Sequence, residues 1–314
     1  MPSTITATRF TSSRASDNMA AANLASLKKL SAVNEQMRIA HFSDFHICPE
    51  LGSNWQIAKI MEMIADARKR GAEQFVFTGD FVDYANLDDL SRLYREFRRA
   101  GLDHTNTTII PGNHDIFPIP GCGLSHRQKA SHGLRMIRGN AQSTHNSFVR
   151  RSSFLLKGTT PIWQGSRFPF IRKLSKEVLL VGLDTTNARW TGRFQFAQGS
   201  FDPVDAEAIL EVLNSKPYAH CKRRILAIHH HPWAEMDLRG CDFEDVKMVQ
   251  AFIAHAGFDL VLCGHVHLFD QIQMGKAMVV CSACHFERGQ DVDCVGYHLI
   301  TLGRSIRVKA IDCK

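Results

Sequence analysis

The sequence predicts an α/β protein built on a layered sheet, and two observations carry that prediction. Six short apolar runs of strand length recur along the chain. Between several of them, apolar residues fall three and four apart, the spacing of a helix with one buried face. Alternation of this kind builds a sheet covered by helices. Taken in order, the strands are Ile39–Phe42, Phe75–Thr78, Thr107–Ile110, Val178–Gly182, Ile225–Ile228 and Leu260–Cys263. Helices are expected over Trp55–Lys69, Leu87–Arg99, Val204–Leu213 and Phe243–Ala256. The carboxy-terminal part, KAMVVCSACHF and then GYHLITLGRSIRVKAID, reads as all-β, with Leu302-Gly303-Arg304-Ser305 as a hairpin turn.

Residues 1–36 are rich in Ser, Thr and Ala and lack the compact apolar stretch of a secretory signal. They read as an N-terminal extension, either a tail or one short helix carrying Leu24, Leu27 and Leu30. One domain is expected over residues 37–314. It carries an insertion at about 118–176, where periodicity is poor. That segment holds eleven Lys and Arg and no Asp or Glu, more positive charge than the net +7 of the whole chain. Local excess of one sign attracts anions. Hydrophobic content of 44% and charged content of 22% are those of a soluble enzyme. No apolar run approaches the roughly 20 residues of a membrane span. Nine cysteines without a regular framework read as reduced thiols in a cytoplasmic protein. Cys281-Ser282-Ala283-Cys284-His285 has haem-attachment spacing, but its strand-like surroundings favour buried or loop-lining cysteines.

Ligand sites of open α/β sheets form beyond the carboxyl ends of the strands. Five of these strands deliver polar clusters there: SDFH from Ser43, GDFVD from Gly79, PGNHD from Pro111, HHHP from His229 and GHVH from Gly264. Each cluster alone is a common turn or cap. Together they supply Asp, Asn and His at one edge of a sheet. In extended chain, residues i and i+2 share a face. Asp44 and His46 are therefore expected on one face, His265 and His267 on another, with Phe45 and Val266 turned into packing. Carboxylate, amide oxygen and imidazole are ligands for Mn, Fe or Zn. Seven of them exceed the need of one catalytic ion and suit two ions about 3.5–4 Å apart sharing a carboxylate.

The ordered motifs DFH, GDFVD, GNHD, HHHP and GHVH resemble those of the calcineurin-like metallophosphoesterases, over about Asp44 to His267. The resemblance implies a four-layer αββα sandwich of two mixed β-sheets flanked by helices. It implies two divalent or mixed-valence transition-metal ions, one held by Asp44, His46 and His267, the other by Asn113, His229 and His265, with Asp80 bridging. His114 would donate a proton near the leaving oxygen, and Asp115 would orient it. Metals that clamp the phosphate and acidify a water leave no need for a protein nucleophile, and no G-x-S-x-G elbow or Walker-type loop is present.

Among relatives, HHHP looks most like the bacterial cyclic-nucleotide phosphodiesterase branch. The long basic insertion departs from the compact members and argues for a larger or more highly charged anion. The expected activity is a phosphodiesterase on a nucleotide-like ester. The alternatives are a phosphomonoesterase, a nuclease using Phe148, Phe154, Trp163, Phe168 and Phe170 for stacking, and, more remotely, an inactive interaction module. Nucleic acid is thus a possible partner and an anionic phosphoester the expected one. Arg150, Arg151 and His230 are the candidate substrate contacts. Alternation places His229 and His231 on one face and His230 on the other. The family motif puts the ligand at His229, leaving His230 and His231 to pack, orient neighbours or face substrate.

Overall fold

The computed structural model describes residues 36–49, 52–83, 85–117, 141–186, 197–233, 243, 245–284 and 296–313. The expected extension at residues 1–36 lies almost wholly outside them.

Strand β1 (Met37–Phe42) leads to helix α1 (Ser53–Lys69), then β2 (Gln74–Phe77), α2 (Leu87–Arg99), β3 (Thr107–Ile109) and the short α3 (Asn113–Ile116). β1 and β2 are parallel, as are β2 and β3. The hairpin β11 (Gly296–Leu302) and β12 (Ile306–Asp312) completes this sheet on the other side of β1, in the order β12-β11-β1-β2-β3. The second sheet runs in the order β4 (Thr160–Pro161), β5 (Phe170–Lys173), β6 (Val178–Gly182), β7 (Arg223–Ala227), β8 (Leu260–Cys263), β10 (Ala277–Cys281) and β9 (Asp270–Met274). Its middle is the parallel set β6, β7 and β8, followed by β10. Both sheets are therefore mixed.

Alternation along the second sheet explains the layering. Leu180, Ile225, Ala227, Leu260, Leu262 and Val280 pack toward the first sheet, in one core with Phe42, Phe77, Ile60 and Leu93. Their chain neighbours Leu179, Val181, Leu226, Val261 and Val279 pack with Ile209, Leu213, Val249 and Ile253. Those last residues belong to the helices Pro203–Asn214 and Val246–Ala256. Helices α1 and α2 cover the outer face of the first sheet, giving the αββα sandwich. The helix starts follow from caps: Asn86 accepts from the amides of Asp88 and Asp89, and Asp202 from that of Val204.

Two stretches differ from the sequence expectation. The described part of the basic segment is woven into the fold. Residues 141–151 are helical, and β4 (Thr160–Pro161) and β5 (Phe170–Lys173) extend the second sheet through the antiparallel pair β5–β6. Phe148 and Phe170 are fully buried and Phe168 nearly so, which removes them as stacking platforms. The Trp163 indole donates to Asp205, 2.6 Å away. Secondly, β9 (Asp270–Met274) escapes pattern reading because it is an exposed edge strand with little apolar content. Cys281 and Cys284 lie in opposite cores, and His285 is outside the described residues.

Candidate metal centre

The strand-end loops of β1, β2, β3, β7 and β8 converge where the two sheets meet. Backbone pairing of the first two loops continues past the strands, with Asp44 N–H donating to Gly79 O and His46 N–H to Asp80 O. The sheets are stitched together by side chains. His229 Nδ1 lies 2.7 Å from the Thr78 carbonyl, and the His265 amide donates to the Asp44 carboxylate at 2.9 Å. Two glycines permit this approach. A Cβ at Gly112 would collide with the Asp80 carboxylate, and one at Gly264 with the Ser43 and Asp44 side chains.

All seven expected donors come together. His46 Nε2 lies 2.9 Å from His267 Nε2, 3.5 Å from Asp80 Oδ2 and 4.0 Å from Asp44 Oδ1. On the other side, Asn113 Oδ1 is 3.0 Å from both His229 Nε2 and His265 Nδ1. Asp80 Oδ2 is 3.2 Å from His229 Nε2, so one carboxylate oxygen borders both groups. The period-2 premise fails here although the pairing it predicted is present. Asp44, His46, Asp80, His265 and His267 all have positive φ, between 44° and 74°. For residues with a Cβ, such backbone costs on the order of 1–3 kcal/mol each and is characteristic of functional sites. Phe45 and Val266 do turn away into the two cores.

Electrostatics sharpen the picture. Burial, reinforced by neighbouring Asp80, pushes the Asp44 carboxyl up to about 6. For Asp80 burial acts upward too, but the adjacent His229 and His114 outweigh it and hold the carboxyl well below its ordinary range. Burial opposes protonation of His229, yet Asp80 beside it raises the imidazole to about 9. Lone-pair donors packed this closely need protons or a cation between them. Asn113 Nδ2, buried, has no hydrogen-bond partner among the described residues. A donor set of two carboxylates, one amide and four imidazoles in two groups about a shared oxygen fits two first-row divalent ions.

Residues 37–269 match the family model for calcineurin-like phosphoesterases, which spans every one of these donors. The chain belongs to that family. A probable cyclic nucleotide phosphodiesterase from Moraxella catarrhalis is similar at 22% identity over 238 residues, 74% of this chain and 72% of the relative. In fold, the chain is similar to a dimetal phosphatase from Danio rerio, with TM-score 0.55 at 12% identity, covering 88% of this chain and 99% of that one. It is also similar to a purple acid phosphatase from yellow lupin (Lupinus luteus) seeds, with TM-score 0.51 at 13% identity, covering 88% and 52%.

Several expectations for this calcineurin-like phosphoesterase change at the level of single side chains. Asp115 does not orient His114, because its carboxylate is occupied by backbone. It accepts from the amides of Phe81, Val82 and Gly112, tying the β2 loop to α3. Asp83 stands in the orienting position, 2.8 Å from His114 Nδ1 and 3.8 Å from His46 Nδ1. Its signal was present as the second carboxylate of GDFVD, a residue with no other task in a turn. Burial opposes charge on His114, but Asp80 and Asp83 prevail and raise its pKa.

Arg151 donates to Ser91 on α2 at 2.5 Å, fastening the 141–151 helix, and Arg150 is exposed. Arg172, counted among the basic charges, is buried with a hydrogen bond to the Thr107 carbonyl. The expectation of a substrate-facing His230 fails because the residue is fully buried. Alternation also misplaces it: β7 ends at Ala227, so HHHP is no longer extended, and the His229 and His230 rings lie 5.0 Å apart. His231 stacks on Trp233 at 5.3 Å.

Proposed function

We propose that this protein is a two-metal phosphoester hydrolase, acting as a phosphodiesterase on a nucleotide-like substrate. The observation that carries the reading is the shared oxygen of Asp80, which lies within 3.5 Å of imidazoles from both donor groups. Asp44, His46 and His267 would hold one ion, Asn113, His229 and His265 the other, with Asp80 between them. When bound, such ions supply positive charge to phosphoryl oxygens and acidify water near neutral pH.

The chain's own residues supply the rest. His114 stands beside the donors, its ring centroid 4.7 Å from that of His46. Protonated, and with Nδ1–H donating to Asp83, the ring would give its Nε2 proton to the leaving oxygen. Asp115 keeps the loops bearing Asp80 and His114 in register. The distant relative named a probable cyclic nucleotide phosphodiesterase supports the diester preference.

A panel with added Mn²⁺ tests the reading: cyclic nucleotides, bis-nitrophenyl phosphate, nitrophenyl phosphate, glycerophosphodiesters and single-stranded DNA. Preference for the small nucleotide diesters is expected. Faster turnover of nitrophenyl phosphate would replace the diesterase with a monoesterase. Preference for DNA with steep loss of rate in salt would replace it with a nuclease.

A further inference from the structure

The proposed centre leaves one imidazole unexplained. His230 is fully buried, and its Nε2 has no hydrogen-bond partner among the described residues. Leaving such a group without a partner in a buried site is unfavourable. The ring is nevertheless held firmly. Its Nδ1 lies 2.8 Å from Thr185 Oγ1, on the loop after β6. Gly199 closes on it from another side, where an added Cβ would come within 2.7 Å of the His230 Cβ and Cγ. The Phe243 ring lies 6.0 Å from it and the His265 ring 4.5 Å.

This is the arrangement of its neighbour. His229 is anchored through Nδ1 on the Thr78 carbonyl and presents Nε2 to the donor cluster. An outer partner on one ring nitrogen is how a metal-binding histidine is usually oriented. Ligand atoms of His229, His230 and His265 all lie within 4.8 Å of one another. Building on the two-metal reading above, we infer that His230 is a further ligand, through Nε2, of the ion held by Asn113, His229 and His265. The two positions then differ in chemistry. The position of Asp44, His46 and His267 is balanced between oxygen and nitrogen, whereas the other carries three imidazoles. Imidazole-rich sites favour Zn²⁺ over Mn²⁺, and oxygen donors narrow that preference.

The test is calorimetric titration of the chelator-stripped full chain with Zn²⁺ and with Mn²⁺, separately. Wild type should take up two equivalents, one of them markedly selective for Zn²⁺. In His230→Gln, the selective equivalent should lose at least about 10-fold in Zn²⁺ affinity, with little change for Mn²⁺. Thr185→Val keeps the ring but removes its anchor, and should show a smaller loss at the same equivalent. Should His230→Gln fail to fold by circular dichroism, Thr185→Val carries the test by the same selectivity readout. Two equivalents with unchanged Zn²⁺/Mn²⁺ selectivity in the folded variants would overturn this inference alone. A wild type binding fewer than two ions would overturn the two-metal reading and this inference with it.

Discussion

Two regions of the molecule carried functional expectations from sequence, and the fold treats them in opposite ways. The strand-end motifs all arrive at one point, held by left-handed backbone and by hydrogen bonds between the sheets. The basic segment disperses. Its described portion forms a helix, two strands at one side of the second sheet and buried aromatic packing, and Arg151 and Arg172 bond to protein rather than to the centre. The difference teaches that position in the fold outweighs charge density. Each strand-end residue had its location set by the strand preceding it, whereas the basic residues were counted without any element to place them.

The comparison breaks first at Asp80. Asp80→Ala should take turnover to background and disturb uptake of both ions, because its oxygen borders both donor groups. Retention of one full-affinity ion would deny it the shared role. Next in size, His114→Ala should keep both ions and lose about 10²–10⁴-fold in rate, least for nitrophenolate leaving groups. Asp83→Asn tests the same pair through pH. The Asp83 carboxylate helps raise His114, so its loss should move the alkaline limb of the rate profile to lower pH. A limb that stays in place would return the acid role to another group.

Metal uptake supplies a third test. Asp80 raises His229 to about 9, so at pH 7.5 the metal-free imidazole is protonated. Binding must expel that proton, and affinity should climb as pH rises toward 9. Calorimetry in buffers of unlike ionisation heat should register proton release; equal heats would contradict it. Smallest is the effect expected at the basic segment. Changing Arg150 and Arg151 together to Ala should alter KM by less than about twofold, since Arg150 is an exposed charge and Arg151 is engaged by Ser91. Any loss should appear in thermal stability through the Ser91 contact. A large rise in KM would restore these arginines to the substrate path.

Much of this was legible in the sequence because strands and their polar ends are local signals. The helix Leu87–Arg99 and the strands Val178–Gly182 and Leu260–Cys263 match their expected bounds, and the seven donors were named from motif order. What escaped was set by tertiary contact. Asp83 and Asp115 are both carboxylates in motif loops. Only folding decides which one meets three amides and which meets His114. The burial of His230 escaped because alternation was extended past the end of β7, where the chain turns. Edge strand β9 had too few apolar residues to announce itself.

The central claim is two ions about one shared carboxylate, and anomalous scattering from an Mn²⁺-loaded crystal tests it most directly. Two peaks about 3.5–4 Å apart are expected on either side of Asp80, one bounded by Asp44, His46 and His267, the other by Asn113, His229 and His265. A single peak, or peaks away from Asp80, would contradict the account.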